Sequence, residues 1–98
     1  MQIIIVGCGK VGSTIAEQLS AEGHDITIVD TDESVVQALA TRLDIMGVTG
    51  NGATHSILAE AGVEEADLLI AVTESDELNL LCCMVGKKAG AEHTIARV

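Results

Sequence analysis

No phenylalanine, tryptophan, tyrosine or proline occurs among the 98 residues, and only five residues are basic. Each absence removes a class of function. Without aromatic rings nothing can stack on exposed bases, and 15 carboxylates against five cations leave a formal charge of −10 that repels a phosphate backbone. The sequence therefore predicts no nucleic-acid partner. A short-chain dehydrogenase needs a catalytic tyrosine, and none exists here. Cysteine is also sparse: Cys8, Cys82 and Cys83 are odd in number, with two adjacent, which is no disulfide framework and points to a reducing cytoplasm. No basic segment followed by an apolar stretch marks a secretory signal. Apolar runs are short, as at residues 3–6 and 68–72, and fall far below the ~18 residues of a membrane span. A soluble cytoplasmic chain is expected.

What is present is aliphatic: the hydrophobic fraction is 48%, carried by Ile, Val, Leu, Ala, Met and Cys. The length suits one domain over residues 1–98, burying about two-thirds of its unfolded surface. Short apolar strands alternate with longer helical stretches, the pattern of a parallel α/β sheet. Strands are expected at residues 3–6, 26–30, 45–48, 66–73 and 93–98. Helices are expected at 11–22, 32–43, 54–61 and 75–88. On the first helix Val11, Ile15 and Leu19 form an inward stripe, and Thr54 is placed to cap the third. Right-handed crossovers then give a Rossmann-type doubly wound sheet of five strands in the order 3-2-1-4-5, with helices on both faces. Ligands of such sheets bind where the winding reverses, at the carboxyl ends of strands one and four. The loops converging there are residues 7–12, the end of strand two, 50–53 and 73–76, the stretches richest in Gly, Asp, Asn and Thr.

Gly7-Cys8-Gly9-Lys10-Val11-Gly12 is a GxGxxG that follows a strand and opens a helix. Gly7 permits the tight turn, Gly9 lets a pyrophosphate approach the backbone, and Gly12 lets helix and strand pack closely. First-turn amides and the helix dipole favour the phosphate charge. Asp30 closes the second strand, where a carboxylate accepts both hydroxyls of an adenosine ribose and repels a 2′-phosphate. NAD(H) is thus expected over NADP(H). Asp32 and Glu33 strengthen that charge argument, though capping of the second helix accounts for them first. Cys8 reads as a small filler whose backbone borders the ligand.

Other positions carry two readings each. Lys10 is a point charge for a phosphate or a solvated lysine. Asn51, Gly52 and Ala53 leave room for an adenine or make an ordinary turn. Thr73 and Glu74 face the glycine loop across the switch point, so they contact the distal half of a dinucleotide or help begin the fourth helix. Arg97 pairs with a phosphate or with an acidic neighbour such as Glu74. The histidines and cysteines have no ligand spacing, so no metal is expected. No nucleophile–base pair stands out, and no residue is assigned a catalytic role. The fourth helix has one core stripe at Leu78, Leu81, Cys82 and Val85, and a second apolar face at Leu80, Cys83 and Met84 that predicts self-association.

These features together resemble a known family, the RCK or KTN nucleotide-binding domains of potassium channels and transporters, with the TrkA-type regulators of Trk potassium uptake nearest. The resemblance rests on the glycine loop, Asp25-Ile26-Thr27-Ile28-Val29-Asp30-Thr31-Asp32, Leu58-Ala59-Glu60-Ala61-Gly62, Ala66-Asp67-Leu68-Leu69-Ile70-Ala71-Val72-Thr73, then Asp76, Glu77 and Asn79. It covers essentially the whole chain. It implies a cytoplasmic regulator, peripheral at the inner face of the membrane, whose NAD(H) binding controls an integral-membrane potassium transporter subunit. Carried over, NAD contacts fall on Gly7 through Val11, Asp30, Thr73, Glu74 and Arg97. Lys10 departs from the uncharged residue expected there, which keeps ATP and ADP open as ligands. Family domains usually continue with a sixth strand and a dimerising helix, so a fragment of a longer, homo-oligomeric protein is expected. The competing reading is the cofactor half of an NAD-dependent dehydrogenase without its substrate domain.

Overall fold

The structure is a computed structural model describing all 98 residues. Its elements run β1 (Gln2–Val6), α1 (Lys10–Ala21), β2 (Asp25–Asp30), α2 (Glu33–Leu43), β3 (Met46–Thr49), α3 (His55–Glu60), a 3-10 turn (Val63–Glu65), β4 (Leu68–Ala71), α4 (Asp76–Ala89) and β5 (His93–Ala96). All five strands are parallel, in the order β3-β2-β1-β4-β5. Central β1 sets the register, with Ile5 beside Ile28 on one side and Ile70 on the other.

The unbroken apolar run of β1 follows from helices on both faces. Ile3 and Ile5 pack with Ile26, Ile28, Ala16, Val36 and Leu39 on the α1–α2 side. Ile4 and Val6 pack with Val29, Leu58, Leu69 and Cys82 on the α3–α4 side. With no aromatic rings to fill space, branched aliphatics close both halves, and Ile5, Ile28 and Leu69 are fully buried. No helix is long and apolar enough to cross a membrane.

Several element boundaries differ from expectation, each through a local hydrogen bond. β4 is shorter than residues 66–73 at both ends. Ala66 closes the 3-10 turn by donating its N–H to the Val63 carbonyl, and the Thr73 N–H leaves the ladder for the Asn79 side chain. β3 begins one residue late because the Ile45 N–H caps α2 at the Ala40 carbonyl, with Asp44 left-handed at φ 55°. Thr54 precedes α3 but its hydroxyl donates backward to the Asn51 carbonyl instead of capping the helix. Val11 is 40% exposed, so α1 presents Ile15 and Leu19 inward without it.

α4 carries the largest correction. Leu81 is 47% exposed, whereas Cys83, assigned to an outer face, is buried and Asn79 is wholly buried. The buried stripe runs Asn79, Cys82, Cys83 and Gly86. Its outer surface is Leu80, Leu81 and Met84.

Candidate functional site

A cleft of about 570 Å³ opens at the carboxyl edge of the sheet, between the loops after β1, β2, β3 and β4. That volume falls within the roughly 300–1,000 Å³ of small-molecule sites. It lies at the topological switch point, where β1 and β4 run side by side but their following helices cover opposite faces.

The glycine loop is built by backbone proximity. The Gly7 N–H donates to the Val29 carbonyl at 2.8 Å, and its φ of 108° is a conformation side chains disfavour. A Cβ on Gly7 would press on the Val72–Thr73 peptide at 3.0 Å, so the loops after β1 and β4 already touch. A Cβ on Gly12 would overlap the Gly7 carbonyl. Gly9 differs: a Cβ there would meet nothing within 4 Å, because it faces the open cleft.

Gly9 is also the N-cap of α1 and supplies no side-chain cap, and no acidic residue stands in the first turn. The first-turn amides therefore lack an acceptor and carry the positive end of the helix dipole toward the cleft. Lys10 and Val11 line the same wall. Beside it stands Asp30. Its Oδ2 accepts the Cys8 N–H at 2.8 Å and its Oδ1 accepts the Asp32 N–H at 3.0 Å, so one carboxylate ties the glycine loop to the start of α2. Each oxygen keeps a further lone pair for a ligand hydroxyl.

The remaining candidates divide. Asn51 and Gly52 line the cleft, but the Asn51 side chain closes its own turn on the Ala53 N–H at 2.8 Å. Gly52 packs against Val6, where a Cβ would collide, and Ala53 turns into the core. Thr73, Glu74 and Arg97 form the far wall. No ion pair joins Arg97 to Glu74: the ion pairs are Arg42 with Glu17 and two near His24 and His93. Asp32 lies outside the cleft and caps α2, its Oδ1 accepting the N–H groups of Ser34 and Val35 and the Ser34 hydroxyl. The Ser34 hydroxyl first, then the Val35 amide, hold its carboxyl below the usual range. Gly12 lies behind the loop as packing, outside the lining.

Cys8 keeps its backbone in the loop but turns its thiol inward, 3.9 Å from the Val29 carbonyl. Burial first, then the Asp30 charge, pushes that thiol up to about 12. Burial also raises Cys82 to about 11, with Cys83 adding to it, and burial raises Cys83. All three remain neutral thiols near pH 7, without the thiolate that nucleophilic chemistry requires.

Sequence reasoning left two kinds of lining residue unassigned. Val6, Val29 and Val72 are strand ends that supply an apolar floor, and Thr31 and Leu78 complete the rim. Their signal was position alone, at the carboxyl end of a strand or the start of a helix.

The TrkA-N domain family matches residues 3–98. The chain belongs to that family. It is 50% identical over 97 residues to a Trk system potassium uptake protein TrkA of Halomonas elongata, covering 99% of this chain and 20% of the relative. Among solved structures, the AMP-bound Kef C-terminal domain of Shewanella denitrificans superposes with a TM-score of 0.81 at 25% identity, over 97% of this chain and 57% of that one. The TrkA-N domain of the Escherichia coli inner membrane protein ybaL gives 0.73 at 22% identity, over 97% and 86%. The chain thus spans about a fifth of the length of the TrkA proteins it first matches.

Proposed function

We propose that this domain is the nucleotide sensor of a potassium uptake system, binding NAD(H) in the switch-point cleft and passing its occupancy to an integral-membrane transporter subunit. The observation that carries the reading is the uncapped amino end of α1, open to the cleft at Gly9 and beside the Asp30 carboxylate. Free amides suit a pyrophosphate, and a carboxylate with two remaining acceptor positions suits a ribose diol. Lys10 adds a point charge near the phosphates, while Asn51 and Gly52 bound the adenine side. Thr73, Glu74 and Arg97 meet the part beyond the pyrophosphate. The relatives named for potassium uptake support the regulatory role, and a cytoplasmic place at the inner membrane face follows from such a partner.

The relatives named as potassium uptake proteins support a role in which the domain senses its ligand and does not turn it over. Self-association through Leu80, Leu81 and Met84 gives ligand binding a route to subunit arrangement.

Calorimetric titration with NADH, NAD, ATP, ADP and NADPH tests the site. NADH binds at least tenfold tighter than NADPH, a difference of about 1.4 kcal/mol. Asp30→Ala removes that preference. Equal binding of NADPH by the unaltered chain, or unchanged NADH binding by Asp30→Ala, rejects Asp30 as the ribose acceptor. Tighter ATP or ADP binding instead assigns Lys10 to a terminal phosphate and makes the energy-charge nucleotides the ligands.

A further inference from the structure

Asn79 is the only polar side chain among the buried residues and is wholly shielded from solvent. Its Oδ1 accepts the Thr73 N–H at 2.8 Å and the Thr73 hydroxyl at 2.6 Å. Its Nδ2 donates to the Thr73 carbonyl at 3.1 Å and to the Arg97 carbonyl at 2.9 Å. Both lone pairs and both protons of the amide are thereby engaged. Burying an amide without partners is costly, so these four bonds define one position for the side chain.

The partners matter more than their number. Thr73 and Arg97 lie just beyond the ends of β4 and β5; the Arg97 N–H still joins the Ala71 carbonyl at 2.9 Å, but the Thr73 N–H and the carbonyls of both residues turn to Asn79 instead of a neighbouring strand. Asn79 takes over there, gripping both the N–H and C=O of Thr73 and joining the ends of two adjacent strands. Both residues line the cleft, and Glu74 follows Thr73 directly. None of its bonds reaches Gly9, Lys10, Asp30 or Asn51, on the other side. Alternative roles as fold ballast alone predict no such segregation.

We infer that Asn79 is a positioning residue for the distal half of the nucleotide site: it sets where Thr73, Glu74 and Arg97 stand without touching the ligand. This rests on the proposed nucleotide reading. It predicts that a ligand reaching across the cleft feels Asn79 and a ligand confined to the Asp30 side does not.

The test titrates NADH and AMP into the 98-residue chain and into Asn79→Asp. That variant keeps the acceptor toward Thr73 but sets a carboxylate oxygen against the Thr73 and Arg97 carbonyls. NADH affinity falls about tenfold or more, while AMP affinity changes less than about twofold. Parallel loss of both makes Asn79 a general stabiliser and overturns the inference, as does unchanged NADH binding. Failure of the unaltered chain to bind either ligand overturns the nucleotide reading, and this inference with it. If Asn79→Asp does not fold, amide exchange in the unaltered chain decides. NADH, but not AMP, slows exchange at the Thr73 N–H and the Asn79 side-chain amide. Equal protection by both ligands, or by neither, overturns the inference.

Discussion

The amino ends of α1 and α4 border the same cleft, yet their orphan amides are treated in opposite ways. Ser75 caps α4 by accepting the Leu78 N–H at 3.1 Å, and Asp76 and Glu77 place negative charge in its first turn. α2 does likewise through Asp32 and Glu33. α1 has glycine at the cap and no acid in its first turn. A helix that satisfies its own amino end gains stability and has nothing left for an anion. One that leaves its end open forgoes a cap bond and keeps a preorganised anion site. The difference is legible as composition: acid follows the cap of α2 and α4, glycine and lysine surround that of α1.

The contrast can be broken from either side, and the effects differ in size. Gly12→Ala has the largest, because its new Cβ overlaps the Gly7 carbonyl and forces α1 off β1. It costs about 3 kcal/mol in urea denaturation and removes nucleotide binding. Gly9→Asp gives the open helix a cap like that of α2, in a position with free space for it. Stability stays within about 0.5 kcal/mol, since glycine is itself a tolerable cap. NADH affinity falls on the order of a hundredfold, or about 2.7 kcal/mol, because a fixed carboxylate occupies the phosphate amides. Undiminished binding by Gly9→Asp shows that the α1 end is not the anion site. Ser75→Ala makes the converse change at α4, losing about 1 kcal/mol of stability in the same denaturation assay.

At neutral pH the smallest effect comes from the thiol beneath the glycine loop, which acts only in alkali. Cys8 ionises near 12 in the folded chain against an ordinary 9.0, so the unfolded chain loses its proton first. Its contribution is intact below pH 9 and is lost as pH rises through the folded value. The urea midpoint therefore falls between pH 9 and 11, and Cys8→Ala makes that fall shallower. An identical slope in Cys8→Ala assigns the alkaline loss to other groups.

How far the sequence could be read varied with the range of the interactions involved. The glycine loop was legible because its constraints are local: a turn, a helix start and a close packing within six residues. Ten candidates from that loop and its partners border one cleft, while Cys8, Gly12, Asp32 and Ala53 serve loop, packing, cap and core instead. The phase of α4 was misread because Leu81 is apolar and Asn79 polar. Hydropathy counts side chains singly, whereas Asn79 is buried by partners that neutralise its polarity. Periodicity through Cys82, Cys83 and Gly86 was the available signal.

By itself the sequence determined the order of elements, the parallel sheet and its winding, because alternating apolar strands and amphipathic helices admit few right-handed arrangements. It also placed glycine, which has no side chain to cap with, at the start of α1. Only the tertiary structure decided that Asp30 grips the Cys8 amide across 22 residues and that Asn79 grips Arg97 across 18. Those bonds depend on strand ends brought side by side by the sheet, and no local pattern of residues records that proximity.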